Sequence, residues 1–133
     1  MAEIPLGAKR EHQVAVTDDL AINFLGQEGA RVRATPWMIG LMERTCRDLA
    51  LPFLDEGHDT VGTHVNVYHL AATPMGMTVT FTAEIVAVNE RRITFRVEAR
   101  DDRDKAGEGT HERAIINVAR FTSRMRAKFS PGQ

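Results

Sequence analysis

The chain has one cysteine, Cys46, in 133 residues, which excludes an internal disulfide and a Cys-rich metal site and gives no reason to infer an oxidising compartment. It has no excess of charge. Lys and Arg number 17 against 18 Asp and Glu, a formal charge of -1, so no overall basic field favours nucleic acid as a partner. Arg120, Arg124, Arg126 and Lys128 make one end locally positive and are read as a solvated end. No apolar run approaches the length needed to cross a bilayer, and "MAEIPLGAKREHQ" lacks the apolar core of a signal peptide. A cytoplasmic protein with no membrane partner is therefore expected. His58, His64 and His69 lie close in sequence but match no strong zinc spacing, so no metal is expected. Repeats and low-complexity stretches are absent.

What is present fits one domain spanning residues 1–133, with 43% hydrophobic residues to build a modest core. Roughly the first eight and last six residues are expected to fray. A short strand is expected around Gln13–Val16, followed by the glycine-bearing loop "GQEGARVRATP". In "TPWMIGLMERTCRDLALPF", Thr35 can cap a helix and Pro36 can open it, since proline lacks the amide hydrogen left unpaired there. Pro52 marks its far end. Met38, Leu41, Met42, Thr45, Cys46 and Leu49 share one side at helical spacing, and Glu43 borders that face.

From "LDEGHDT" onward the period becomes two. A strand is expected over Val61–Ala72, with Val61, Thr63, Val65, Val67 and His69 on one face. Met77, Val79, Phe81, Ala83 and Ile85 mark the next strand. "NERR" makes a hairpin turn into Ile93, Phe95, Val97 and Ala99. "DDRDKAGEG" reads as a longer polar turn and "THERAIINVARFTSR" as the last strand. Strand, helix and four antiparallel strands define an α+β domain in which one long helix covers one sheet face. The uncovered edges and apolar surface make a dimer a physical expectation.

Three polar residues occupy odd places: Thr35 at the helix entrance, Glu43 beside its apolar stripe, and His69 at the end of a valine-lined strand face. Singly, each has a structural explanation as a cap, a solvated edge or a core histidine bonded to a carbonyl. Together they can converge, because a helix packed across the sheet brings its first turns near one end of the central strands. A hydroxyl, a carboxylate and an imidazole in a partly dry crevice suit acyl transfer.

"TPWMIGLME", "VGTHVNVYHLAATPMG" and "GEGTHERAIINVARF", in this order and separation, resemble the hotdog-fold acyl-CoA thioesterases, and most of all their fluoroacetyl-CoA-specific branch. The likeness spans about Ala34–Arg126. It implies a five-stranded antiparallel sheet wrapped around one long helix, paired as a homodimer, and hydrolysis of a short to medium acyl-CoA without a cofactor beyond the coenzyme A of the substrate. It also places the catalytic roles on Thr35, Glu43 and His69, and a backbone position beside the thioester on Gly62; Val61 and Phe24 are expected as further substrate contacts. A histidine held against valines has its neutral, basic form favoured by desolvation. Glu43 can attack the thioester, activate water or orient His69.

One departure stands out. The branch carries aromatic residues in a lid before the threonine, whereas "FLGQEGARVRA" has Gly26 and Gly29 there, with only Phe24 nearby. Strict fluoroacetyl selectivity is therefore not expected. Arg91, Arg92, Arg120 and Arg124 are candidate contacts for the phosphates of coenzyme A. His111, Glu112 and Arg113 alternate faces, and a structural role is expected for them. A non-catalytic acyl-CoA or ligand-binding module is the rival reading. A hydratase ranks behind, because "DTVGTH" keeps the Asp59–His64 spacing of "D-x-N-P-x-H" without its asparagine and proline.

Overall fold

The apolar stripe of the long helix sets the architecture. In the computed structural model, which describes residues 3–22, 24–27 and 29–130, helix α1 covers Thr35–Ala50 and buries Met38, Met42, Thr45, Cys46, Leu49 and Ala50. It begins one residue earlier than expected. Ala34 is the N-cap and Thr35 the first helical residue, so the Thr35 side chain caps nothing. A short 3-10 turn, Leu51–Phe53, contains Pro52 and ends the element, as a ring without an amide hydrogen dictates.

Five strands receive this helix: β1 (Lys9–Ala15), β2 (His58–His69), β3 (Thr78–Asn89), β4 (Arg92–Arg100) and β5 (Lys105–Asn117). They form one antiparallel sheet in the order β1-β3-β4-β5-β2, with β1 and β2 at its edges. Val79, Phe81, Ala83 and Ile85 of β3 and Ile93, Phe95, Val97 and Ala99 of β4 are buried. That is the inward half of each alternating pattern, and it packs on the stripe of α1.

Several boundaries differ from the sequence expectation, each for a local reason. β1 starts at Lys9, paired with Glu84. β2 lies three residues earlier: Arg47 of α1 grips Asp59 through two bonds of 2.9 and 2.7 Å, while after His69 the Leu70 and Ala71 amides both turn to the Ala106 carbonyl. The polar turn before β5 is short, because Asp101 Oδ1 accepts the Arg103 and Asp104 amides. The last strand stops at Asn117, whose side chain accepts the Arg120 amide at 3.0 Å and starts a second helix, α2 (Val118–Phe129), that the alternation did not announce. Within the described part of the N-terminal segment Ile4 is buried and the Gly7 amide donates to Ile85 at 2.8 Å, while the expected fraying of residues 1 and 2 lies outside the described residues. The expected fraying of residues 131–133 lies outside the described residues.

Candidate active site

A β-bulge decides which residues of β2 face the helix. Gly62 pairs with Arg113 and Val65 with His111, so the register shifts between Gly62 and His64. Two residues there oppose one, and the side-chain parity flips. Thr60 and Gly62 point inward before the bulge, and Val65, Val67 and His69 after it. The uniform face expected from Val61 to His69 is corrected accordingly. Val61, pairing with Ala114, lies on the face opposite Gly62. The bulge is what brings both Gly62 and His69 under α1.

His69 meets Thr35 there, with Oγ1 2.8 Å from Nδ1. The approach depends on a glycine. Gly107 is the cross-strand partner of His69, and a Cβ on it would lie 2.7 Å from Sδ of Met38 in the first turns of α1. Only a residue without a side chain lets the helix start come so close. On its other side the His69 ring has Nε2 3.3 Å from the guanidinium of Arg33. Arg33 is only 2% exposed, lies 5.6 Å over the Phe81 ring, and has Nε and NH1 without a hydrogen-bond partner among the described residues. Burial, opposed by Asp101, lowers its pKa to about 10. The His69 pKa is lowered below the usual histidine range by its own burial and then by the charge of Arg33.

Glu43 occupies a second cluster. It is eight residues beyond Thr35, which at 1.5 Å per residue is about 12 Å along the helix. Its Oε2 lies 3.6 Å from Arg113, and a Cβ on Gly62 would sit 3.1 Å from that oxygen. Arg113 is buried. It donates to the Thr60 hydroxyl at 2.7 Å and carbonyl at 2.9 Å, and lies 3.1 Å from Nε2 of His111. His111 places Nδ1 2.8 Å from the His64 carbonyl and stacks on Phe95, its pKa lowered chiefly by burial. Cys46 lies in the field of both Arg113 and Glu43, and burial pushes its thiol up to about 12, so it is no nucleophile.

The structure thus joins Thr35 to His69 and Glu43 to Gly62, in two neighbourhoods rather than one. His111 and Arg113, expected to be structural because "HER" alternates, share one face with Gly62, and only Glu112 points away. Two polar residues on a face that continues into Ile115 were the available signal. Arg33 was not anticipated at all. Phe24 is 78% exposed on its loop. Among the candidate coenzyme A contacts, Arg91 and Arg120 line one cleft of about 200 Å³ with His58 and Asn117. Arg92 lies 3.8 Å from Glu112, and Arg124 lies over Phe121. Asp59 is engaged by Arg47 and His64 lies 3.5 Å from Glu112, so the hydratase pair is not assembled. Among the described residues no three or more His, Cys, Asp or Glu side chains are grouped to hold a metal ion.

A helix held in the curl of a five-stranded antiparallel sheet is the hotdog fold, the fold of a class of thioester hydrolases. Residues 16–119 match the fluoroacetyl-CoA-specific thioesterase family, and the chain belongs to that family. It is 46% identical over 105 residues to the fluoroacetyl-CoA thioesterase of Streptantibioticus cattleyicolor, covering 79% of this chain and 76% of that one. A solved structure of the fluoroacetyl-CoA thioesterase FlK superimposes with a TM-score of 0.88 at 37% identity, over 96% of this chain and 99% of that one. A thioesterase superfamily member from Thermus thermophilus does so with 0.87 at 33% identity, over 96% and 95%. Among the described residues no helix is long and apolar enough to cross a membrane.

Proposed function

We propose that the protein hydrolyses short to medium acyl-CoA thioesters to the free acid and coenzyme A, in the cytoplasm and without a further cofactor. The carrying observation is the 2.8 Å contact between the Thr35 hydroxyl and the His69 imidazole, which addresses the thioester carbonyl at the entrance of a helix whose first amides are unpaired. Similarity to fluoroacetyl-CoA thioesterases supports the coenzyme A ester. Gly26 and Gly29, with φ of 73° and 81° and open space where a Cβ would stand, leave those two positions of the loop before Thr35 without a side chain. The acyl range therefore extends beyond fluoroacetyl.

The functional unit is a homodimer paired through β2. This twelve-residue strand is a free edge, exposed from Gly62 to Asn66, of the kind that recruits a second strand. Antiparallel pairing of two copies centred between Val65 and Asn66 sets Gly62 of the partner subunit opposite His69. That brings the carboxylate cluster of one copy to the hydroxyl–imidazole pair of the other, supplying the acid that about 12 Å of helix separates within one chain. Glu43 then acts on water or on the thioester, the Gly62 amide binds the oxyanion, and the Arg91–Arg120 cleft takes the phosphates of coenzyme A.

A thiol-release screen over acyl-CoAs of graded size, including acetyl-CoA and fluoroacetyl-CoA, tests the reading. Turnover that disappears in His69→Ala, with circular dichroism unchanged, is expected. Saturable binding of the same esters without thiol release would make the protein a binding module instead.

A further inference from the structure

We propose that Arg33 is a positioning residue that holds His69 in the tautomer protonated at Nδ1, so that the imidazole donates to Thr35 and the proton of Thr35 is left to donate to the thioester carbonyl oxygen. The inference deepens the thioesterase reading above and rests on it for the last step. Its base is donor and acceptor chemistry. A guanidinium only donates, so the 3.3 Å contact from NH2 requires a lone pair on Nε2 of His69. A neutral imidazole with a lone pair on Nε2 carries its hydrogen on Nδ1, the atom 2.8 Å from Thr35 Oγ1. Arg33 has no slack to turn elsewhere. It is 2% exposed and packed over Phe81, its Nε and NH1 have no partner among the described residues, and His69 Nε2 is the acceptor found there for its side chain.

The same contact resists a second proton. Protonation of the ring would occur at Nε2, setting an N–H against the guanidinium and a positive charge against a buried cation; the lowered pKa of His69 follows the same direction. At this ring stand Arg33 from the preceding segment and the Ala71 backbone, whose hydrogen bond opposes the lowering, with Asp101 beyond Arg33, bonded to Thr73 at 2.8 Å. From α1 comes the Thr35 hydroxyl, and from β5 the cross-strand partner is Gly107. Glu43 of the partner subunit joins them in the proposed dimer. The chemical consequence is a directed chain, from Arg33 to Nε2 and from Nδ1 to Oγ1, ending in a hydroxyl hydrogen aimed at substrate. In this state Nδ1 has no lone pair with which to take the Thr35 proton. Thr35 polarises the carbonyl and is not the nucleophile.

The test is a two-bond 1H–15N correlation spectrum of histidine-labelled protein above the His69 titration, with the signal assigned by its loss in His69→Gln. Wild type is expected to show His69 protonated at Nδ1. Arg33→Met is expected to shift it toward the Nε2-protonated form and to move both its titration and the acid limb of kcat/KM to higher pH. Arg33→Lys, which keeps a buried donor and its charge, is expected to lie closer to wild type in both readouts. A wild-type ring protonated at Nε2 would overturn the proposal, as would a titration that is the same in wild type, Arg33→Lys and a folded Arg33→Met. If Arg33→Met does not fold, the wild-type tautomer and the lysine variant still decide. The spectrum needs no substrate, so a correct tautomer with no thiol release would sink the thioesterase reading alone, and turnover with the wrong tautomer would sink this one alone.

Discussion

Replacing Gly107 by alanine places a methyl group at the point where helix and sheet are closest. The new Cβ would lie 2.7 Å from Met38 Sδ, 3.3 Å from Met38 Cε and 3.1 Å from the Tyr68 carbonyl. Carbon and sulfur need about 3.5–4.0 Å, so a gap of roughly 1 Å must open. Met38 is fully buried, so its thioether cannot swing out into solvent. The relief has to come from the first turns of α1, which carry Thr35. Overpacking of this size costs about 1–3 kcal/mol, readable as a lower urea midpoint at unchanged m-value. Displacing Thr35 by about 1 Å stretches its 2.8 Å contact with His69 beyond hydrogen-bond range, and a misplacement of that order costs ~100-fold in rate. Thiol release should therefore fall far more than stability alone requires. The double variant Gly107→Ala/Met38→Ala removes the colliding sulfur, so it should be less destabilised than the two single changes summed and should regain part of the lost kcat/KM. Gly107→Ala with full activity, or strict additivity in the double variant, would refute the account of how helix and strand are brought together.

Acid should destabilise the fold in a defined window. Both His69 and His111 have folded-state pKa values below their unfolded value, chiefly through burial, so between the lowered values and about 6.5 the unfolded chain binds more protons and stability falls as pH falls. Thermal melts across pH 5–8 should show this loss, and His111→Gln should flatten it. Arg113→Met should cost about 2–4 kcal/mol in urea unfolding, because the Thr60 carbonyl, the Thr60 hydroxyl and His111 Nε2 lose a buried donor. Little of that comes from Glu43, whose side chain is 40% exposed and can turn to water. A loss below 1 kcal/mol would show that the buried cation organises nothing.

The two clusters explain why the sequence yields the fold more readily than the site. Alternation is a property of every residue in a strand, so Val79 to Ile85 and Ile93 to Ala99 announce their inward faces many times over, and one misread residue changes nothing. The stripe from Met38 to Leu49 is legible for the same reason. Face assignment in β2 instead hangs on a single unpaired residue at the bulge between Gly62 and His64. No residue type enforces it, and period-two reading carries Val61 to the wrong side and keeps Gly62 away from the helix. The helix α2 was hidden because Asn117 closes a run of alternating residues and becomes a cap only once β5 has ended.

Thr35, Glu43 and His69 stand out by their odd positions and take their roles from a resemblance, and the single chain shows what that route leaves out. Residues can be paired from spacing only when one element or one chain brings them together, and Thr35 and Glu43 stand about 12 Å apart on one helix. Arg33 was invisible for a different reason. Two residues before the helix a charge reads as loop surface, and only packing over Phe81 reveals that it is buried against the imidazole. A buried cation with two nitrogens unpaired among the described residues costs several kcal/mol whatever its role. The acceptor it finds among the described residues is the ring nitrogen that, in the proposed tautomer, sets which way the proton of the Thr35–His69 pair points. The part of the molecule least written in the sequence is therefore the part that sets the polarity of its chemistry.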